Sequence, residues 1–338
     1  VTSEPLAVRR VLLLVHTGRE AAIAVGRSFV AALTGHGMVV RLVDKQAEEL
    51  GLDLAELGPA IEVVPEGEDV GDDCEVALVL GGDGTILRAA EYTHRSGTPL
   101  LGMNMGHVGF LAEAEVEDVE TTIDALVHRR YTTEDRLTLD VAVYQGEELV
   151  ARTFALNEAS VEKGSRERML EVVVGIDGRP LSRWGCDGVV CATPTGSTAY
   201  NFSAGGPVVW PGVEALLMVP ISAHALFARP LVVAPTSVMA IEVLAGNQGA
   251  GVLWCDGRRT VDLPPGARIV VSRGHRPVRL VRLHEAPFTD RLVAKFGLSV
   301  VGWRGSAERR LRSDNELVSL DHSPPSSAVA TTTEDSGV

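Results

Sequence analysis

The stretch from Glu75 to Thr85, EVALVLGGDGT, places one carboxylate among three glycines at the end of an apolar run. Glycines allow positive φ and let backbone N–H groups approach a phosphate closely. Asp83 is the side chain in the turn that could orient a hydroxyl and take its proton. Together these residue types suit phosphoryl transfer onto a hydroxyl. The same residues also fit a strand-ending turn whose aspartate caps a helix opening near Thr85, so the turn alone does not decide.

Two further groups carry chemistry. Asn157-Glu158 interrupts the apolar stretch 154–161; an amide beside a carboxylate can bind both hydroxyls of a ribose, and a polar pair in a strand can equally be a solvated edge. The residues leave both open. Downstream, Asp187 to Ala192 followed by TPTGSTAY (193–200) and Asn201 to Pro207 reads as a non-strand stretch rich in hydroxyls and glycines. Its N–H groups and Ser/Thr oxygens suit a polar ligand, and Tyr200 offers a ring; the alternative is a helix start capped by Thr195 or Ser197.

Composition narrows the classes. The chain has 338 residues, enough for two domains, with net charge −14 and a pI near 5.1, so a nucleic-acid partner is not expected. Its three lysines, Lys45, Lys163 and Lys295, are never followed by Ser or Thr, which rules out a Walker-type phosphate loop. Cys74, Cys186, Cys191 and Cys255 form no C-x-x-C pair and read as reduced core thiols. No basic-then-apolar leader and no apolar run of membrane-spanning length are evident, so the expectation is a soluble, cytoplasmic protein with no membrane partner.

The elements that must position these residues alternate at first. Strands are predicted at 8–15, 38–43, 76–80 and 99–103, with helices carrying Ala22, Val25, Phe29 and Leu33, and then 85–95. That is the pattern of a parallel, doubly wound, Rossmann-like sheet. The turn Gly102 to Phe110 follows a strand's carboxyl end, as the Asp83 turn does, and is read as a wall of the same crevice. From Tyr131 the chain switches to strict alternation, with turn pairs at Gln145-Gly146, Asp177-Gly178 and Asp256-Gly257. The predicted fold class is thus α/β followed by an all-β, two-sheet sandwich. The α/β domain is placed at 1–130 and completed by a returning segment at 286–304, a β domain that carries the Asn157 and Thr193–Tyr200 groups is placed at 131–285, and 305–338 is expected to be a disordered tail.

With these motifs in view, the chain resembles the bacterial NAD kinase (inorganic polyphosphate/ATP-NAD kinase) family from about Val11 to Arg304. The motifs are GGDGT at 81–85, LGMNMGHVGFL at 101–111, LNE at 156–158, DGVVCATPTGSTAY at 187–200 and SAGGP at 203–207. The resemblance implies transfer of the γ-phosphoryl of ATP, or of polyphosphate, to the 2′-hydroxyl of the adenosine ribose of NAD, with a divalent cation such as Mg2+. It implies that Asp83 is the proton acceptor and that Asp83 and Gly84 touch the dinucleotide. Asn157 and Glu158 would bind ribose and Asp187 a ligand. Thr195, Thr198, Ala199, Tyr200, Asn201, Phe202 and Ser203 would form the loop around the bases. Arg88 and Arg168 would contact phosphate, and His224 matches a histidine near the site. His107 occupies a variable position. Homodimers or homotetramers built through the β domain are also implied. The rivals are a sugar or lipid kinase sharing GGDG and a non-catalytic dinucleotide sensor or dehydrogenase; the missing G-x-G-x-x-G speaks against the last.

Overall fold

The computed structural model describes residues 8–52, 58–106, 109–164, 169–246, 250–284 and 287–299. Arg168, His107 and the expected tail at 305–338 lie outside them. By compactness the chain divides into Val1–Arg291 and Leu292–Val338, and the described part of the second unit runs only to residue 299.

In the first unit, buried apolar runs become the strands β1 (Arg10–Val15), β2 (Val39–Val43), β3 (Ile61–Val64), β4 (Val76–Leu80) and β5 (Leu100–Met103). Between them lie α1 (Glu20–Gly35), α2 (Asp44–Glu49) and α3 (Asp83–Thr93), and α4 (Val119–His128) follows β5. All five strands pair in parallel. β4 is buried along its whole length, as a strand covered on both faces must be.

The expected boundaries at 130 and 286 do not coincide with the sheet's limits. β6 (Thr132–Arg136) and, after the whole β region, β19 (Val278–Arg282) complete the order β3-β2-β1-β4-β5-β19-β6. The chain crosses back at Val278, where Leu280 pairs in parallel with Leu100. Helical spacing had drawn attention to 286–304, but the crossing is made by a strand. The helix expected there is α6 (Phe288–Phe296).

The β region forms two six-stranded antiparallel sheets. Its strands are β7 (Leu139–Gln145), β8 (Glu148–Ala155), β9 (Glu158–Lys163), β10 (Leu170–Ile176), β11 (Arg179–Cys186) and β12 (Gly188–Ala192). After the short α5 (Tyr200–Ser203) come β13 (Leu216–Ile221), β14 (Leu231–Val233), β15 (Met239–Val243), β16 (Gly251–Cys255), β17 (Arg259–Leu263) and β18 (Ala267–Arg273). One sheet runs β11-β10-β15-β18-β7-β8 and the other β14-β13-β12-β9-β16-β17. Leu139, Val141 and Val143 of the first face Val161, Val189 and Leu253 of the second across one core, the sandwich that the alternation predicts. All three predicted turn pairs join strands: Gln145-Gly146 joins β7 to β8, Asp177-Gly178 joins β10 to β11, and Asp256-Gly257 joins β16 to β17.

Two local expectations are corrected. Residues 188–192, read as non-strand, are β12, a fully buried central strand. Their apolar run lacks alternation because both faces are covered, by the sandwich core and by the cluster of Val190, Ala192, Leu217 and Val219. The helix expected from Thr85 begins at Asp83, so the carboxylate stands on its first turn.

Candidate active site

Asp83 leaves β4 through Gly81-Gly82 and is fixed by the second glycine-rich turn. One carboxylate oxygen accepts the N–H of Phe110 at 3.0 Å and the other that of Leu111 at 3.1 Å. This docking requires glycine at 109, where a Cβ would stand 2.3 Å from the Asp83 carboxylate, and at 81, where it would stand 2.3 Å from Thr85 Oγ1. Two N–H bonds leave the carboxylate with lone pairs to spare, so it is aimed and still able to accept a proton.

Beside it opens a cleft of about 510 Å³, lined by His16, Thr17, Gly18 and Arg19 after β1, by Gly82, Gly84, Thr85 and Arg88, and by Arg258 from the β16–β17 turn. Each guanidinium is held from behind. Arg19 donates to the Met105 carbonyl at 2.7 Å, Arg88 to Tyr92 Oη and Glu66 at 3.2 Å, and Arg258 to Glu91 at 2.9 Å. Arginines converging beside a helix N-terminus suit a chain of phosphates. Of these residues the sequence reading singled out Gly82, Gly84 and Thr85 of the GGDGT turn and Arg88. Arg258 had no local signal beyond following the predicted Asp256-Gly257 turn, and Arg19 had none.

Leu156 and Asn157 form the corner at which the chain passes from β8 in one sheet to β9 in the other. Leu156 packs into the same cluster as Ile86, Leu87, Leu111 and Ala112, which seats the corner against α3 and the Phe110 turn. Asn157 and Glu158 are both buried, so the solvated-edge alternative fails. Thr193 ties the corner to the next turn: its N–H donates to the Asn157 carbonyl at 2.9 Å and its hydroxyl to that of Leu156 at 2.6 Å. A Cβ on Gly196 would lie 2.0 Å from the Asn157 carbonyl oxygen; only glycine allows the Thr195–Thr198 turn to pack there.

Glu158 is 7 % exposed, and one carboxyl oxygen has no partner among the described residues. Burial pushes its carboxyl up to about 8, the Asp256 carboxylate adds to this, and the Tyr200 N–H opposes it. Glu158, Ser160 and Glu162 share one face of β9, a strip about 14 Å long at 3.4 Å per residue. Beside this strip stands Tyr200, an exposed ring whose hydroxyl is pushed up by partial burial and by the carboxylates of Glu162, Glu158 and Asp187. Asp187, at the far end of β12, pairs with Lys163 at 2.5 Å; that bond and the Ser222 hydroxyl hold its carboxyl below the usual range, with His224 contributing.

The remaining predicted residues divide by exposure. Tyr200, Phe202 and Ser203 are exposed, and Thr195, Thr198 and Ala199 are partly so. Asn201 is fully buried, and its amide donates to the Ser197 and Pro207 carbonyls at 3.3 Å, bracing the loop. One residue at the centre of this wall, Asp256, was read only as half of a turn pair. Among the described residues no three His, Cys, Asp or Glu side chains are grouped to hold a metal ion. A larger cavity, about 700 Å³, is lined by Glu91, Tyr92, His94, Phe154 and Arg276 and contains none of the predicted site residues.

Comparison with known proteins shows the family and the fold. Residues 11–131 match the ATP-NAD kinase N-terminal domain and residues 156–283 the ATP-NAD kinase C-terminal domain. The chain is 60 % identical to an NAD kinase of Thermobifida fusca over 306 residues, 89 % of this chain and 93 % of the relative. It is 51 % identical to an NAD kinase of Mycobacterium bovis over 305 residues, covering 88 % and 99 %. Among solved structures, yeast NADH kinase complexed with NADH superposes with a TM-score of 0.77 at 25 % identity, covering 88 % of this chain and 90 % of that one. An Archaeoglobus fulgidus NAD kinase in complex with ATP gives 0.63 at 24 % identity, covering 86 % and 100 %. The chain belongs to the NAD kinase family, enzymes that phosphorylate NAD to NADP.

Proposed function

We propose that the γ-phosphoryl of ATP is transferred in the cleft between the Asp83 turn and the Asn157 corner, onto the 2′-hydroxyl of the adenosine ribose of NAD. The observation that carries this reading is the anchoring of Asp83 by the N–H groups of Phe110 and Leu111. A carboxylate is a far weaker base than an alkoxide, so Asp83 acts late: it aims the hydroxyl and takes its proton as the new bond to phosphorus forms. Positioning and charge stabilisation supply most of the rate. Arg19, Arg88 and Arg258 hold the phosphates, Asn157 and Glu158 hold the ribose, and the strip along β9 with Tyr200, Phe202 and Asp187 carries the rest of the dinucleotide. Thr195, Thr198, Ala199 and Ser203 shape that wall, and Asn201 braces it.

A divalent cation, Mg2+ in the first instance, would ride on the phosphates with Asp83 as the available carboxylate and would offset charge on the transferred group. A single carboxylate with free lone pairs fits an ion held chiefly by substrate oxygens. The exposed Phe202, Phe227 and Val232 support self-association through the β region as a dimer or tetramer. Four free cysteines support a cytoplasmic setting. A coupled assay for NADP formation, with ATP and polyphosphate compared as donors and NAD and NADH as acceptors, tests the reading. Absence of NADP with either donor overturns it.

A further inference from the structure

We propose that Asp256 is a positioning residue for the Asn157–Glu158 pair: its buried carboxylate gathers the N–H groups of Leu156, Asn157 and Glu158 and so fixes how both side chains leave the corner between β8 and β9. The three bonds measure 3.0, 2.7 and 3.3 Å and reach back about a hundred residues. The clamp is two-way, since the Asp256 N–H donates to the Glu158 carbonyl at 2.9 Å. Asp256 adopts φ +54° and is 5 % exposed. That conformation is the one an Asp-Gly hairpin turn requires, and Asp177 shares it at φ +52°; what sets Asp256 apart is that its carboxylate is buried on the backbone of the β8–β9 corner.

The clamp is in turn tied to the helix that carries Asp83. Arg259 donates to Asp256 at 2.7 Å and to the Phe154 carbonyl at 2.9 Å, and lies 4.3 Å over the Phe154 ring. On Phe154 stacks His94, at the C-terminal end of α3, with 3.8 Å between ring centroids. Arg258 and Arg259 both pair with Glu91 of α3. The helix therefore begins with the residue aimed at the acceptor hydroxyl and ends on the clamp that aims the ribose-holding pair. Relative placement of the two walls is set by one rigid element.

This inference rests on reading Asn157 and Glu158 as the ribose-holding pair. Facing Glu158 are Asp256 from the β16–β17 turn, Glu162 from β9 and the Tyr200 N–H from α5, with Arg259 beside Asp256. Asp256→Asn is the test. Its amide cannot replace both accepting oxygens, so kcat/KM for NAD should fall about 100-fold, as for reacting groups displaced by an ångström, while KM for ATP stays within about two-fold. Because the Asp256 charge helps keep Glu158 protonated, any limb of the kcat/KM profile for NAD that follows Glu158 should also move to lower pH. Collapse of the turn would displace Arg258 as well and raise both KM values. A folded Asp256→Asn enzyme with NAD kinetics near wild type and an unmoved limb overturns the proposal. So does a rise in both KM values together.

If Asp256→Asn does not fold, Arg259→Met decides. Releasing the Asp256 carboxylate from Arg259 should lower kcat/KM for NAD with KM for ATP within about two-fold, and NAD kinetics near wild type overturn the proposal. Asn157→Ala separates the two readings. If it leaves NAD affinity untouched, the ribose assignment falls; if it weakens NAD while folded Asp256→Asn does not, the positioning role falls.

Discussion

The two sides of the proposed site hold a carboxylate by opposite means. On the α/β side, Asp83 is half-buried and is fixed by two backbone N–H groups of a neighbouring turn, with glycines giving the room. On the β side, Glu158 and Asp256 lie close together with little water, and burial pushes both carboxyls up. The first arrangement keeps a carboxylate available for proton transfer. The second has, among the described residues, Arg259 as the direct ionic partner of Asp256 and sets backbone direction more than chemistry. In the proposed mechanism the Asp83 side carries the reaction and the Asp256 side the geometry that the reaction needs.

Removing the carboxylate of the first wall should have the largest effect. Asp83→Asn keeps an acceptor for one N–H and loses proton transfer, so kcat should fall by about 10³-fold or more with KM for NAD little changed. A coupled NADP assay reads this, and turnover near wild type would remove Asp83 from the chemistry. Next comes a contrast between glycines. Gly196→Ala sets a Cβ 2.0 Å from a backbone oxygen, whereas Gly82 and Gly84 have open space at that position. Gly196→Ala should therefore cost about 3 kcal/mol or prevent folding, and Gly84→Ala should melt within a degree or two of wild type, both read by thermal unfolding. If Gly84→Ala nonetheless loses activity, the glycine serves the ligand's approach rather than the fold.

The same contrast explains what could be read from the sequence. Asp83 was legible because its chemistry sits in five contiguous residues at the end of a strand, a pattern that composition and periodicity both mark. The sandwich was legible from alternation at Leu139, Val141 and Val143. The corner at Asn157 remained ambiguous, because whether a polar pair is solvated or buried depends on which sheet follows. Asp256 was invisible, since its partners are about a hundred residues earlier. β12 escaped because burial on both faces erases alternation, and α4 because its buried side is only Thr122, Ala125 and Leu126. Arg19 and Arg258 converge on the phosphate cleft only through the tertiary fold.

The buried wall should also leave a mark on stability. Glu158 stays protonated to about pH 8 in the fold, whereas it ionises near 4.5 in the unfolded chain. Between those values the folded state binds the extra proton, so this group's contribution to stability falls as pH rises through the window and is flat on either side. Glu158→Gln removes that slope. Relative to wild type it should gain about 2 kcal/mol on going from pH 5 to pH 9, allowing for water in the cleft. Denaturant unfolding at the two pH values checks this, and parallel losses in both proteins would mean that Glu158 ionises as it does in water.

The smallest effect is expected where the two walls meet. Arg258 comes from the β region but lines the phosphate cleft of the α/β side, and its pair with Glu91 is more than a third exposed on the arginine. Losing such an ion pair should hardly change stability, so any effect of Arg258→Ala reports on the ligand. A charge-assisted contact to phosphate predicts KM for ATP raised about 10-fold, with KM for NAD nearly unchanged. Arg258→Lys should recover only part of this, because an ammonium cannot make the bidentate contact. The ATP dependence of the wild type should also weaken with added salt more steeply than that of Arg258→Ala. Equal salt dependence in the two would place Arg258 outside the phosphate site and leave that cleft to Arg19 and Arg88.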